Sequence, residues 1–297
     1  MNNLTSSESS LNNFFIKDGI YFPHNYEQLK KTKDKQVWDK IGETYYSSNQ
    51  ILDTIVESSS KQDYKLLTGT PGGSWNKFPI DQSVNSILEI GCGYGRIPLY
   101  LSKAKNLKCK KYYGIDISES LLKRLIKIKE IYDFFPNSEF NLICNSAEML
   151  PIEENSIDLV ISNCVFMHMP YEKVITLLHQ IGRVLKPGGL FFFNHSFHNS
   201  YCPSHIIHNW VRKLNISDKN QTYLKQYTAT EIQELLITSG IAAKCQQYTV
   251  EPTTEYAILP GMIKGVQIPF TRIINRSIKP RGWMKQILAY GYSAYTT

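Results

Sequence analysis

No apolar run in the 297 residues approaches the roughly 18 needed to cross a bilayer. The opening MNNLTSSESSLNNFF also lacks the basic start and apolar block of a secretory signal. These absences set the expectation of a cytoplasmic chain with no transmembrane segment. No C-x-x-C pair occurs among the six cysteines, Cys92, Cys109, Cys144, Cys164, Cys202 and Cys245. Several fall in expected strands or strand ends, so free buried thiols in a reducing compartment fit better than a disulfide framework. No internal repeat is visible. No acidic residue follows Glu255, whereas Lys264, Arg272, Arg276, Lys279, Arg281 and Lys285 interleave there with Ile, Phe and Trp. That segment fits an anionic partner: a phosphorylated or carboxylated substrate, a carrier protein or a membrane surface. The basic cluster from Lys103 to Lys111 reads instead as solvated surface.

What is present is ordinary for a globular chain. Hydrophobic residues make up 42%, charged residues 20%, and the net charge is +7. Such a length buries a full core, as one large domain or one domain with caps. The chain is organised around SILEIGCGYGRIPLYLSKAKNLKCKKYYGID, Ser86 to Asp116. A short apolar run that reads as a buried strand leads into Gly91, Gly93 and Gly95 and then into a segment able to form a helix. At the end of a parallel strand, glycines let backbone N–H groups approach a ligand without a Cβ in the way. The pattern is that of a nucleotide-type pocket. Its spacing is G-x-G-x-G rather than the dinucleotide G-x-G-x-x-G, with Glu89 two residues ahead and Arg96 directly after. A second strand, Tyr112 to Ile115, ends at Asp116, placed to accept hydrogen bonds from two ribose hydroxyls.

On these residues the sequence resembles the class I methyltransferases that use S-adenosylmethionine, in the branch of ubiquinone-type and small-molecule enzymes, over roughly Trp38 to Gly240. The resemblance implies an α/β, Rossmann-like, seven-stranded, mostly parallel sheet with helices on both faces, an N-terminal helical lid and substrate caps. Residues 1–80 then form a polar tail and the lid, and residues 81–297 the cofactor-binding domain with cap insertions at about 196–226 and 252–282. W-D-K-I-G-E-T-Y-Y is similar to the family's helix that folds over the cofactor, bringing Tyr45 to the site. Glu89, Gly91, Cys92, Gly93, Gly95, Asp116 and Ile117 are the implied cofactor-binding residues at the glycine turn and ribose. Ser146, Ala147 and Glu148 flank the adenine; Ser146 departs from the acidic residue usual there, leaving Glu148 to supply the acceptor. Asn163, after the fourth strand, lies under the methionine part. L-K-P-G-G before the fifth strand, Leu190 to Phe193, is among the most specific likenesses. A sixth strand is expected over Ile241 to Val250 and a final antiparallel one within Met284 to Tyr295.

Methyl transfer from a sulfonium is an in-line displacement, so much of the catalysis lies in holding the reactants in line. A hydroxyl acceptor also needs a base, and histidine titrates near working pH. His195, beyond the fifth strand, is the first choice and His168, beyond the fourth, the second. His198, Tyr201, His205, Trp210 and Tyr256 are expected on the acceptor. The function expected is therefore methylation of a small-molecule or carrier-bound acceptor, at oxygen rather than nitrogen. Three alternatives stand beside it. The first is an N-methyltransferase or a nucleic-acid enzyme, the latter disfavoured because N-C-V-F occupies the place of an N-P-P-Y tetrad. The second is a non-catalytic partner subunit that keeps the fold. The third is a metal site at the paired H-x-x-H motifs, whose spacing matches no strong zinc signature.

Overall fold

The computed structural model describes residues 10–44, 63, 84–194, 229–244, 248–252, 262–263, 266–267 and 292–296, with 202–204, 206–207, 210, 227, 270, 277, 279 and 281–284. The chain begins with a hairpin, β1 (Phe14–Lys17) and β2 (Ile20–Pro23). Between the strands, Asp18 and Gly19 both take positive φ, 51° and 76°. That two-residue turn has the twist which paired strands require. A single turn, α1 (Tyr26–Leu29), leads to helix α2 (Lys33–Thr44).

The core then alternates strand and helix: β3 (Val84–Ile90), α3 (Arg96–Ala104), β4 (Cys109–Asp116), α4 (Glu119–Tyr132) and β5 (Glu139–Cys144). It continues with β6 (Ile157–Asn163), α5 (Tyr171–Val184) and β7 (Leu185–Asn194). Ser118 caps α4, its hydroxyl accepting from the Leu121 N–H. Leu121, Leu122, Leu125, Ile128 and Tyr132 form the buried stripe of that helix, and Val174, Leu177, Leu178 and Ile181 that of α5. Both stripes follow the 3.6-residue period of the sequence.

Helix α6 (Ala229–Thr238) ends as expected before Gly240, whose φ is 75°. The expected strand over Ile241 to Val250 is corrected. Its first part is a helical turn, α7 (Ile241–Lys244), and β8 begins only at Tyr248 and runs to Pro252. Ile241 is fully buried in the core shared by α5 and α6, so an isolated apolar residue that suggested a strand belongs to a helix-packing cluster. A small ladder, β9 (Met262–Ile263) with β10 (Val266–Gln267), lies within the expected second cap. Last comes β11 (Tyr292–Thr296), antiparallel to both β7 and β8.

Among the described residues the sheet order is β1-β2-β5-β4-β3-β6-β7-β11-β8. The seven strands from β5 to β8 are the expected core, parallel except for β11. The hairpin was not expected: β2 pairs in parallel with β5 and lengthens the sheet to nine strands. Alternate residues of each strand face opposite layers. Ile87, Leu159, Ile161 and Phe192 pack with α3 and α4, whereas Leu88, Ile90, Val160, Phe191 and Phe193 pack with α5 and α6. The chain winds from β3 outward to β5, then returns to β6 on the other side of β3. The crevice at the carboxyl ends of β3 and β6 is therefore the switch point where open sheets of this type take ligands.

Candidate functional site

A cavity of about 670 Å³ opens at that switch point, within the size range of small-ligand sites. Its base is the turn after β3. Gly91 has φ 70°, and a Cβ there would lie 2.3 Å from Val165 Cγ2, so both the backbone conformation and the close approach require glycine. The Gly91 and Cys92 N–H groups bind the Ile115 carbonyl of β4 at 2.7 and 3.1 Å. Gly95, at φ 86°, caps α3 and packs against Leu125.

Asp116 ends β4 and is held at both oxygens. Oδ2 accepts from the Gly93 N–H and Oδ1 from the Ser118 N–H, each at 2.8 Å. Burial pushes its carboxyl up to about 6, against the pull of those two N–H groups and of the Lys35 ammonium. An ionised carboxylate has about four acceptor positions, so lone pairs remain for further donors. Glu89, on β3, is 1% exposed and accepts the Tyr112 hydroxyl at 2.6 Å. Burial drives it up to about 8, opposed by that hydroxyl.

Across the cavity, Asn163 ends β6 and Cys164 follows it at φ 61°. Asn163 Oδ1 is buried without a hydrogen-bond partner. Such an acceptor, costly to leave unpaired, fits a donor that arrives with a ligand. His168 also lines this side, and its ring meets Trp38 of α2 edge-on at 4.9 Å between centroids. After β5, Ser146, Ala147 and Glu148 form the third wall. Ser146 Oγ donates to Glu148 Oε1 at 3.0 Å, and Glu148 pairs with Lys173 of α5 at 2.8 Å. Lys173 also reaches Asp34 of α2 at 3.0 Å. One ammonium thus links three separate elements at the rim. Arg183 fixes the loop behind that wall by donating to the Leu150 and Ile152 carbonyls at 2.7 and 2.8 Å.

The structure therefore gathers Glu89, Gly91, Cys92, Gly93, Asp116, Ile117, Ser146, Ala147, Glu148, Asn163 and His168 around one cavity. Trp210 is 65% exposed and is not among the lining residues. Tyr45, His195, His198, Tyr201, His205 and Tyr256 lie outside the described residues, as do most of both expected caps. Asp34, Trp38 and Lys173 line the cavity without having been named as site residues, as does Arg96, noted only for its place after the glycines. Asp34 and Trp38 sit four apart on α2, a spacing that shares one helix face. Lys173, in the first turn of α5, lies off that helix's apolar stripe. Among the described residues no cluster of His, Cys, Asp or Glu is placed to hold a metal.

This arrangement suits S-adenosylmethionine. The expected places of Asp116 at the ribose, Asn163 under the methionine part and Ser146 to Glu148 at the adenine all fall on residues that line the cavity. Comparison with known proteins points the same way. Residues 88–193 match the methyltransferase domain family. The chain is 35% identical over 116 residues to phosphoethanolamine N-methyltransferase 1 of Zea mays, covering 39% of this chain and 22% of that protein. It is 29% identical over 118 residues to the tRNA N(3)-cytidine methyltransferase METTL2 of Bos taurus, covering 39% and 30%. The chain thus spans a third or less of the length of these curated relatives. A SAM-dependent methyltransferase from Archaeoglobus fulgidus superposes with a TM-score of 0.51 at 17% identity, covering 85% of this chain and 99% of that one. That last likeness speaks for the fold. The match over residues 88–193 is to a methyltransferase domain, and the fold around it is the one that S-adenosylmethionine-dependent methyltransferases share.

Proposed function

We propose that the protein transfers a methyl group from S-adenosylmethionine to a small-molecule or carrier-bound acceptor, at oxygen. The observation that carries this reading is the carboxylate of Asp116 pinned by the glycine turn inside a cavity of about 670 Å³. The bound sulfonium supplies an activated methyl group. The chain's own part is to hold the acceptor in line, exclude water and take a proton where the acceptor is a hydroxyl. His168 supports the last role because it lines the cavity on the β6 side, where its ring is backed by Trp38. His195 remains a second base by its place in the chain. It directly follows Asn194, whose register partner is Asn163.

A nitrogen acceptor is the second reading, favoured by the names of the amine- and cytidine-methylating relatives. The free, buried thiols of Cys92 and Cys144 support a reducing, cytoplasmic setting. Among the described residues no helix is long and apolar enough to cross a membrane.

The test is transfer of a labelled methyl group to panels of phenols, carboxylates, sugars, amines and tRNA. Labelling of a hydroxyl or carboxyl, lost in His168→Ala while cofactor affinity stays, is the result expected. Labelling of amines or tRNA alone contradicts the oxygen assignment. Full turnover by His168→Ala contradicts its role as base.

A further inference from the structure

Helix α2 presents two faces. Asp34 and Trp38 look into the cavity, whereas Lys35, Asp39 and Gly42 seat the helix on the turn that joins β4 to α4. Lys35 is completely buried. Its ammonium donates to Asp39 Oδ2 at 2.7 Å and to the Ile117 carbonyl at 3.0 Å. Asp39 Oδ1 in turn accepts the Glu119 N–H at 3.1 Å, the first residue of α4. A Cβ on Gly42 would lie 2.3 Å from Ser120 Oγ, so α2 approaches this turn as closely as a glycine permits. The Arg124 guanidinium completes the contact by donating to the Gly42 carbonyl.

A fully buried ammonium is costly, and a buried ion pair gains little over a well-packed apolar pair. Stability alone therefore does not account for lysine at position 35. The turn it grips is the one that presents Asp116: Ile117 lines the cavity, and the Ser118 N–H binds Asp116 Oδ1. From the elements packed around it, Asp116 faces Lys35 and Asp39 of α2, Glu89 of β3, Cys92 of the glycine turn and Cys144 of β5. Asp39 repels its negative charge and Lys35 attracts it, while Asp116 in turn raises the Glu89 carboxyl.

We propose that Lys35 is a positioning residue of the cofactor site, fixing the Ile117 carbonyl and supplying the positive charge against which Asp116 stands ionised toward the ribose. This rests on the cofactor reading given above. It makes the N-terminal helix part of the binding site itself as well as a cover over it. The same helix thus carries both the cavity wall of Asp34 and Trp38 and the ammonium behind Asp116.

The test is titration of the Asp116 carboxyl by carbon-13 NMR in the unliganded protein, with Asp116→Asn giving the assignment. Lys35→Met is expected to raise the midpoint by one pH unit or more. Lys40→Met, an exposed position on the same helix, leaves it unchanged. Should Lys35→Met fail to fold, Lys35→Met with Asp39→Asn removes both charges, leaves no unpaired buried ion, and still raises the midpoint, by less. In calorimetry, Lys35→Met weakens S-adenosylmethionine binding about twofold or more at pH 7, and the deficit shrinks at higher pH as Asp116 ionises. An unchanged midpoint and unchanged affinity would overturn the proposal. Absence of binding in the wild type would instead sink the cofactor reading, while the NMR midpoint still decides the role of Lys35.

Discussion

Gly93 gives its backbone N–H to Asp116 Oδ2 at 2.8 Å, so the turn after β3 and the end of β4 hold one carboxylate between them. With the Ser118 N–H on the other oxygen, Asp116 is oriented from two sides before any ligand arrives. Asp116→Asn keeps the shape but turns an amide N–H₂ toward one of those donors. Hydrogen bonds to a charged group contribute about 1.5–3 kcal/mol, and 1.4 kcal/mol is tenfold in affinity. Calorimetry is expected to show S-adenosylmethionine binding weakened about tenfold or more.

Glu89 gives the protein a pH dependence of definite sign. Its carboxyl stands at about 8 in the folded protein against 4.5 as the reference, burial being the largest cause. The folded state therefore binds the extra proton between those values, and the stability of the unliganded protein falls as pH rises through that window. Asp116, raised from 3.8 to about 6, adds the same sign at lower pH. Thermal unfolding midpoints measured from pH 5 to 8.5 are expected to decline, and Glu89→Gln is expected to flatten the upper part of that decline.

Gly91→Ala meets two costs at once. A left-handed conformation costs a side-chain-bearing residue about 1–2 kcal/mol, and the new Cβ would lie 2.3 Å from Val165 Cγ2. Urea unfolding is expected to show a loss of about 2 kcal/mol or more. Adding Val165→Ala relieves the overlap and leaves the backbone strain, so it restores part of the loss.

Lys173 joins Glu148 to Asp34 at the rim, yet its side chain is 37% exposed. Half-exposed ion pairs contribute within about 1 kcal/mol, so Lys173→Met is expected to leave the unfolding midpoint nearly unchanged. What it removes is the tie between α2 and the wall of Ser146 to Glu148. Stopped-flow measurement is expected to show cofactor release faster by roughly threefold or more.

The parts of the molecule legible in the sequence are those fixed by local chemistry. Gly91 and Gly93 announce the turn that floors the cavity because few residues tolerate such a turn, Asp116 marks the end of β4 beside it, and the apolar stripes of α4 and α5 follow helical spacing. The hairpin of β1 and β2 was missed although Asp18-Gly19 between apolar residues is a hairpin signal. What the strands contribute becomes apparent only when β2 finds β5, more than a hundred residues away. Ile241 misled for the same reason: one apolar residue near Gly240 does not reveal whether it packs as helix or strand. Trp38, Lys35 and Lys173 act through partners distant in the chain, and no spacing rule connects Lys35 to Ile117 or Lys173 to Asp34. The L-K-P-G-G segment marked the approach to β7, but the strand takes in that segment too, from Leu185.

The central claim is tested most directly by calorimetric titration of the full chain with S-adenosylmethionine and, separately, with NAD. The account predicts micromolar, one-to-one binding of S-adenosylmethionine and none of NAD, because the G-x-G-x-G turn and Asp116 shape a pocket for a single nucleoside. Tight binding of NAD alone, or failure of S-adenosylmethionine to bind, would contradict it.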